Sequence, residues 1–419
     1  MAAAALLSGC IAHELPVAGS SGTTPSLRVP TTPQAYRVLH RFGRSKRVIG
    51  GYHPAGLLAY HGTLYGTAHD GGKYGYGTVY SITPPGALHV VYSFGGTQND
   101  GFNPSAGVIA VDGVLYGVTD GGGACGAGTV FSLTTSGTEK VLHSFCGADG
   151  GSPQGAAIAV NGVLYGTAST LGGSKGNVGG TVFTITTSGA YRVMHRFRTT
   201  KGDGFTPTGS LAIVKGVLYG TTLHGGAGCS DYPGCGTIYR ITTTGKEKVV
   251  YSFTGLPGSD GSQPEGGVNA VNGALYGTTF LGGDSACHEG CGIAYSATIN
   301  GTESVLYRFD AAAGGQNPAA GVVDVRGTLY GTTAVGGGGS CGNNEGCGTV
   351  YRLTASGAET VLHAFAGPSD GADPEANLVV NKGRLYGLTT SGGIVVSRCT
   401  TSLSAPDEGC GTVFSIAPE

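Results

Sequence analysis

The sequence predicts an all-β fold, a seven-bladed β-propeller of four-stranded blades, and three observations carry that reading. The triplet Leu-Tyr-Gly occurs seven times along the 419 residues, at intervals of 49 to 57 residues. A second marker, Gly-Thr-Val/Ile-Tyr/Phe, follows each triplet. Each interval holds four short runs of strand type, the signature of one propeller blade per repeat. The triplets begin at Leu64, Leu115, Leu164, Leu218, Leu275, Leu329 and Leu385. The second marker begins at Gly77, Gly128, Gly180, Gly236, Gly348 and Gly411, with Gly292-Ile293-Ala294-Tyr295 a degraded copy. A third marker, Val-Leu-His-x-Phe in its fullest form, ends at Phe42, Phe94, Phe145, Phe197, Phe253, Phe309 and Phe365.

Within the first full unit the runs span residues 55–60, 63–68, 78–83 and 89–94, rich in β-branched and aromatic residues and bounded by Gly, Pro or Asn. Two residues ending in glycine join the first run to the second: His61-Gly62, Asp112-Gly113, Asn161-Gly162, Lys215-Gly216, Asn272-Gly273, Arg326-Gly327 and Lys382-Gly383. A two-residue hairpin needs positive φ at both positions, which glycine tolerates best. Short turns such as Ser136-Gly137 and Ser356-Gly357 join the third run to the fourth. The first run of the chain, residues 35–42, matches a fourth strand, and the last, residues 411–416, matches a third. Blade seven is therefore expected to combine 35–42 with 376–416, the N-terminal strand closing the ring and removing an open sheet edge.

Composition narrows the class. Glycine is 82 of 419 residues and charged residues are 11 %, against about 25 % charged in ordinary domains. A hydrophobic fraction of 40 % still permits a core. The net charge of −2, with Lys and Arg scattered singly, supplies no basic stripe for nucleic acid. No apolar run reaches the roughly 18 residues of a membrane helix.

Ahead of the repeats, residues 1–16 contain Leu7-Ser8-Gly9-Cys10, similar to the lipobox of bacterial lipoproteins, in which the cysteine carries the lipid. No Lys or Arg precedes this apolar run, a departure from the signal-peptide pattern. Residues 17–34 read as a flexible Ser/Thr/Pro linker. The domains expected are thus 1–16, 17–34 and the propeller, 35–419.

In such blades the loops alternate between two faces. Those between strands two and three, and from blade to blade, share one face and are long here. Ten of the eleven cysteines fall in them: Cys125 with Cys146, Cys229 with Cys235, Cys287 with Cys291, Cys341 with Cys347 and Cys399 with Cys410. Disulfide staples fit best, because glycine-rich loops bury little apolar area and a crosslink limits their freedom. Zinc would need four ligands, usually on C-x2-C knuckles, and a redox pair an activating C-x-x-C setting. Neither spacing occurs, so Cys10 alone is left for lipid and no metal or cofactor is expected.

Histidine recurs in the fourth strand at His40, His143, His195 and His363, but Tyr92, Tyr251 and Tyr307 replace it elsewhere. A general base does not exchange with tyrosine between copies, so the position reads as packing. Asp100, Asp149, Asp203, Asp260 and Asp370 open an Asp-Gly-x-x-Pro pattern before the first strand. An aspartate before glycine commonly makes a side-chain turn. Five on one face could also bind calcium or sugar hydroxyls, although no dense oxygen-ligand motif is present. The candidate ligand face comprises these five with the aromatics Tyr52, Phe102, Phe205 and Tyr232, read as exposed. The Gly-Gly pairs after strand two are no phosphate loop. They resemble the glycine doublet of kelch blades, without the kelch tryptophan.

Taken together, LYGTT, GG, GTVF, VLHxF and DGxxP resemble the bacterial GloVer tandem-repeat family, often called choice-of-anchor proteins, over about residues 35–416. The resemblance implies a cell-surface repeat protein held by an anchor, here Cys10, with no known activity to carry over. The function expected is an exported, lipid-anchored, monomeric module that binds carbohydrate or protein ligands or acts as a scaffold. The alternatives are a propeller enzyme acting on glycans (lyase, hydrolase or oxidase) and a purely structural surface repeat. A channel-mouth cluster of His, Asp or Arg would favour the enzyme, with Tyr60, Asn269, Asp324 and Arg326 the first residues to consider.

Overall fold

The computed structural model describes residues 36–43, 50–83, 86–170, 178–200, 202–229, 233–255, 260–283, 286–287, 289–310, 314–339, 341, 345–394, 399 and 409–418. Cys10, the linker 17–34 and Tyr232 lie outside the described residues. Ala35–Glu419 forms one compact unit, and it is a propeller of seven four-stranded antiparallel sheets, with no helix among the described residues.

Blade 1 comprises Tyr52–Tyr60, Thr63–Asp70, Thr78–Thr83 and Ala87–Ser93. Blade 2 comprises Ile109–Val111, Val114–Thr119, Thr129–Thr134 and Glu139–Ser144, and blade 3 Ile158–Val160, Val163–Thr170, Val178–Thr186 and Tyr191–Phe197. Blade 4 contains Gly204–Val214, Val217–Gly225, Thr237–Thr242 and Glu247–Ser252. Blade 5 contains Val268–Val271, Ala274–Thr279, Ile293–Thr298 and Glu303–Arg308, and blade 6 Val323–Val325, Thr328–Thr333, Thr349–Thr354 and Glu359–Ala364. In the last sheet Val379–Asn381, Arg384–Thr389 and Thr412–Ile416 are followed in space by Tyr36–Arg41, which pairs antiparallel with Thr412–Ile416.

The turns form as glycine chemistry dictates. All seven hairpins between first and second strands hold two residues of positive φ, from His61 (48°) and Gly62 (80°) to Lys382 (48°) and Gly383 (75°). The first strands of neighbouring blades meet at small residues; Gly56 lies against Gly107, Gly209 against Gly267 and Gly266 against Gly321. Strand one is therefore innermost, around the propeller axis.

The three sequence markers turn out to be parts of one contact. The aromatic of each third strand is fully buried and lies over the glycine of its own Leu-Tyr-Gly: Tyr80 over Gly66, Tyr239 over Gly220, Phe414 over Gly387. A Cβ at Gly220 would stand 2.5 Å from the Tyr239 hydroxyl, so only glycine leaves room for the ring. The terminal Phe of each fourth strand then packs edge-on against the third-strand aromatic of the next blade. The pairs are Phe94 with Phe131, Phe145 with Phe183, Phe197 with Tyr239, Phe253 with Tyr295, Phe309 with Tyr351, Phe365 with Phe414 and Phe42 with Tyr80, at centroid separations of 4.9 to 5.4 Å. Edge-to-face pairs at this spacing contribute beyond their buried area. The last pair joins the blade containing Tyr36–Arg41 to blade 1.

The glycine of the second marker makes the same junction from the backbone side. Its φ is positive in every copy, from 89° at Gly292 to 126° at Gly180. An added Cβ would fall 2.3 to 2.9 Å from a Cδ of the proline opening the next blade, as between Gly236 and Pro264 or Gly411 and Pro54.

Removing one ring from this circuit tests it. Phe253→Ala empties a fully buried aromatic site and is expected to cost about 3–5 kcal/mol, read as a lowered midpoint in denaturant unfolding. A change below about 1 kcal/mol would contradict the packing described.

Candidate functional site on the long-loop face

Each blade begins with an x-Pro step on the long-loop face, and the residue before the proline is left-handed in all seven: His53, Asn103, Ser152, Thr206, Gln263, Asn317 and Asp373, with φ between 47° and 58°. Left-handed non-glycine residues are uncommon, and the α-type region before proline is disfavoured. What holds them is visible at six of these positions. The N–H of His53 donates to the carbonyl of Cys410, and those of Gln263, Asn317 and Asp373 to Cys235, Cys291 and Cys347. Asn103 and Ser152 donate in the same way to Tyr76 and Ala127. The second cysteine of each short staple thus fixes the loop that receives the next blade.

All five disulfides form as the spacing predicts: Cys125–Cys146, Cys229–Cys235, Cys287–Cys291, Cys341–Cys347 and Cys399–Cys410. Such crosslinks persist in oxidising surroundings, outside the cytosol or in the periplasm.

Chemistry gathers where blades 1 and 2 meet. Asp70, at the end of a second strand, lies with Oδ2 3.0 Å from His53 Nδ1 and 2.9 Å from His69 Nδ1. Asn103 Nδ2 donates to Asp70 Oδ1 and to the His69 carbonyl, at 3.1 and 3.0 Å. Burial pushes the Asp70 carboxyl up, but the two imidazole hydrogen bonds outweigh it and hold the group well below the usual carboxylate range. The bond to Asp70 lifts His69 above its ordinary value against the opposing pull of burial. Beside this cluster Tyr74 and Tyr76 are 43 % and 48 % exposed, the most exposed large apolar side chains among the described residues. Their rings lie over Gly96 and Gly95, where a Cβ would clash with them, and Tyr76 packs against Phe102 at 5.5 Å.

The cluster reaches toward the axis. Glu265 and Glu375 each stand just after a blade-opening proline; Glu265 feels the charge of Glu375, and Glu375 feels Asp373 and then His53. Burial first, then the neighbouring carboxylate, pushes both up to about 7. Glu375 is nonetheless solvent-exposed.

The aspartates expected on the ligand face are occupied elsewhere. Asp100 and Asp260 are only 6 % and 5 % exposed. Asp100 accepts from the Tyr92 hydroxyl and the Gly95 and Gly96 amides; Asp260 accepts from the Tyr251 hydroxyl and the Thr254 and Gly255 amides. Asp149 pairs with His143 Nε2, and Asp370 with His363 Nε2, both at 2.9 Å. Asp203 Oδ2 accepts from the Arg198 amide. The His/Tyr alternation of the fourth strand is thereby explained: either side chain can donate to the turn aspartate. Phe205, read as exposed, is 4 % exposed, because the first strand of blade 4 runs unbroken through it and turns it inward against Tyr239 and its neighbours. Tyr52 and Phe102 are half-buried.

Nor do Tyr60, Asn269, Asp324 and Arg326 assemble a channel-mouth cluster. Tyr60 packs on His61 of the adjoining hairpin, Asp324 Oδ1 accepts from Gly327 N–H, Asn269 Nδ2 donates to the Val322 carbonyl, and Arg326 is itself a turn residue. Sequence reading missed His53, His69, Asp70, Tyr74, Tyr76, Glu265 and Glu375. One signal was available. The residues flanking each blade-opening proline vary from copy to copy within an otherwise constant frame.

Buried carboxyls also recur between blades. Glu139 and Glu303 open fourth strands beside Asp100 and Asp260 of the preceding blade, and burial, then that negative neighbour, pushes each up to about 7.

Fold, repeat and staples define a disulfide-stabilised tandem-repeat propeller. The Gloeobacter/Verrucomicrobia repeat model matches residues 17–233 and 230–419, and the chain belongs to that family. No curated protein matches the chain. Among solved structures it is similar to puromycin hydrolase, at 17 % identity and a TM-score of 0.50 over 83 % of this chain and 50 % of that one. It is also similar to the computationally designed Ika8 protein (12 % identity, TM-score 0.44, 87 % of this chain and 96 % of that one). A luciferin-regenerating enzyme matches at 14 % identity and a TM-score of 0.43, over 73 % of this chain and 88 % of that one. The likeness is one of fold alone, and the chain spans half the length of puromycin hydrolase.

The inter-blade carboxyls set a pH dependence. The folded state holds the Glu303 proton up to about 7, whereas the ordinary value is 4.5. The stabilisation from this protonated form is therefore full below pH 4.5 and lost as pH rises through 7. His143, His195 and His224, held down by burial, act in the opposite sense, so the comparison must be against a variant. The melting temperature of the wild type is expected to fall relative to Glu303→Gln across this interval. Parallel curves would refute the assignment.

Proposed function

We propose that this protein is an exported, lipid-anchored binding module that holds a hydroxyl-rich ligand, such as a glycan, at the junction of blades 1 and 2. The observation that carries the reading is the pair of exposed rings, Tyr74 and Tyr76, backed by Phe102 and bordered by His53, His69, Asp70 and Asn103. Flat aromatic faces cover the apolar side of a sugar ring, while imidazole, amide and carboxylate groups meet its hydroxyls. A scarcity of basic residues on the chain argues against a polyanion. Export is supported by the five disulfides, and anchoring by the lipobox-like Leu7-Ser8-Gly9-Cys10.

A second reading, catalysis at the same place, is favoured by one observation. Asp70 orients two imidazoles, an arrangement that suits a general base.

Screening the protein on a glycan array tests the first reading. Tyr76→Ala is expected to weaken binding of any hit by about tenfold, a little over 1 kcal/mol, for loss of one stacking face, with the melting temperature unchanged. An array without hits, or hits indifferent to both Tyr76→Ala and Tyr74→Ala, would remove the proposal. A protein ligand would instead emerge as a surface partner whose capture depends on the same rings. Mass spectrometry of protein from its native membrane is expected to find a diacylglyceryl group on Cys10, and an unmodified thiol there would sink the anchor.

A further inference from the structure

The boundary between blades 3 and 4 differs chemically from the four others at which a turn aspartate is described. At those four the fourth-strand Tyr or His hydrogen-bonds the turn aspartate. Tyr92 donates to Asp100 Oδ2 at 2.9 Å beside Glu139, and Tyr251 donates to Asp260 Oδ2 at 2.6 Å beside Glu303. His143 pairs with Asp149 and His363 with Asp370, each imidazole stacked on a tyrosine of the following blade, Tyr191 at 3.7 Å and Tyr36 at 3.6 Å.

Between blades 3 and 4 neither solution is present. His195 from the fourth strand of blade 3, Asp203 from the connecting loop and Glu247 from the fourth strand of blade 4 converge with neither a tyrosine hydroxyl nor a histidine–aspartate bond between them. Their ligand atoms all lie within 4.8 Å of one another. His195 Nε2, Asp203 Oδ1 and Glu247 Oε1 are sealed from solvent and have no hydrogen-bond partner. The Asp203 carboxyl accepts from backbone amides, that of Arg198 reaching Oδ2 at 3.4 Å, while the Arg198 side chain is exposed. Sealed polar atoms without partners are costly, and two carboxylates cannot both ionise against each other without a compensating charge. Burial pushes Asp203 up and His195 down, and burial with the Asp203 charge pushes Glu247 up to about 7. A bound cation would remove all three penalties at once.

We propose that His195, Asp203 and Glu247 form a divalent-cation site, suited to Zn²⁺, that ties blade 3 to blade 4. One imidazole nitrogen and two carboxylate oxygens match the ligand preference of zinc, which sits about 2.0–2.2 Å from each and accepts a water at a fourth position. The site lies on outer strands, away from the aromatic patch, so it acts on the propeller's stability and stands independently of ligand binding there.

The experiment is a calorimetric titration of the full chain with ZnCl₂ after EDTA dialysis, with MgCl₂ as the hard-cation control and the melting temperature followed in parallel. Other histidines, His53 and His69 among them, can also take up zinc, so the site is read as a difference between proteins. The wild type is expected to bind one equivalent more than His195→Tyr, which installs the residue that the fold already accepts at Tyr92 and Tyr251. Glu247→Gln is expected to weaken that equivalent roughly tenfold or more, since even outer partners of a metal cost that much. Zinc should raise the melting temperature of the wild type and of neither variant. Equal stoichiometry and affinity in all three proteins would overturn the proposal. Should His195→Tyr fail to fold, Glu247→Gln decides alone: unchanged affinity overturns the site and a loss of affinity supports it.

Discussion

The structure depends on one repeated contact, an aromatic edge set against an aromatic face across each blade boundary. The last Phe of a fourth strand reaches the third-strand ring of the next blade, and that ring fits because its own Leu-Tyr-Gly glycine leaves the space. A propeller blade cannot bury both of its faces alone, so stability resides in the boundaries rather than in the blades. The buried clusters fit this view. Each draws its residues from neighbouring blades, and the one holding Phe42 spans Leu57 and Tyr80 of blade 1 with Tyr386 and Val413 of the last sheet. The same boundaries receive the marker glycine against the next proline, so side chains and backbone fix the same angle between blades.

That economy explains what could be read in advance. Strand runs, hairpin turns and cysteine pairs are local, within about a dozen residues of sequence in most cases, and periodic repetition shows them seven times over. Glycine at position two of the first hairpin has one physical reason to recur, and the structure gives it that reason at His61-Gly62 and six further places. The polar contacts were illegible because they depend on which way a loop folds back. His143 and Asp149 were both noticed, yet nothing in their spacing says that one donates to the other. Phe102 and Phe205 occupy matching Asp-Gly-Phe positions but diverge. The first sits in a two-residue ribbon, and the second in a continuous strand that buries it.

The aromatic patch was hidden for a related reason. Tyr74 and Tyr76 belong to a blade-1 loop without cysteines, and their exposure follows from glycines at 95 and 96 beneath the rings. The constant frame of the repeat supplies rigidity, and the positions that vary within it, such as His53, Asn103 and Asp373, open their blades with left-handed backbones. Strain at such positions persists only where the surroundings hold it. At His53 and Asp373 the holding partner is a stapled cysteine, whereas at Asn103 it is Tyr76 of the cysteine-free loop, so the disulfides bear on part of the candidate site's geometry.

If boundaries carry the stability, the chain's opening strand matters out of proportion to its length, because Phe42 supplies the contact between the last sheet and blade 1. The most direct measurement is the unfolding of a chain lacking residues 1–43, alone and with a synthetic peptide of residues 35–43 added. The account predicts a large drop in melting temperature with a broadened transition, and recovery in proportion to the peptide. A truncated chain that melts as sharply and at the same temperature as the full one would contradict it.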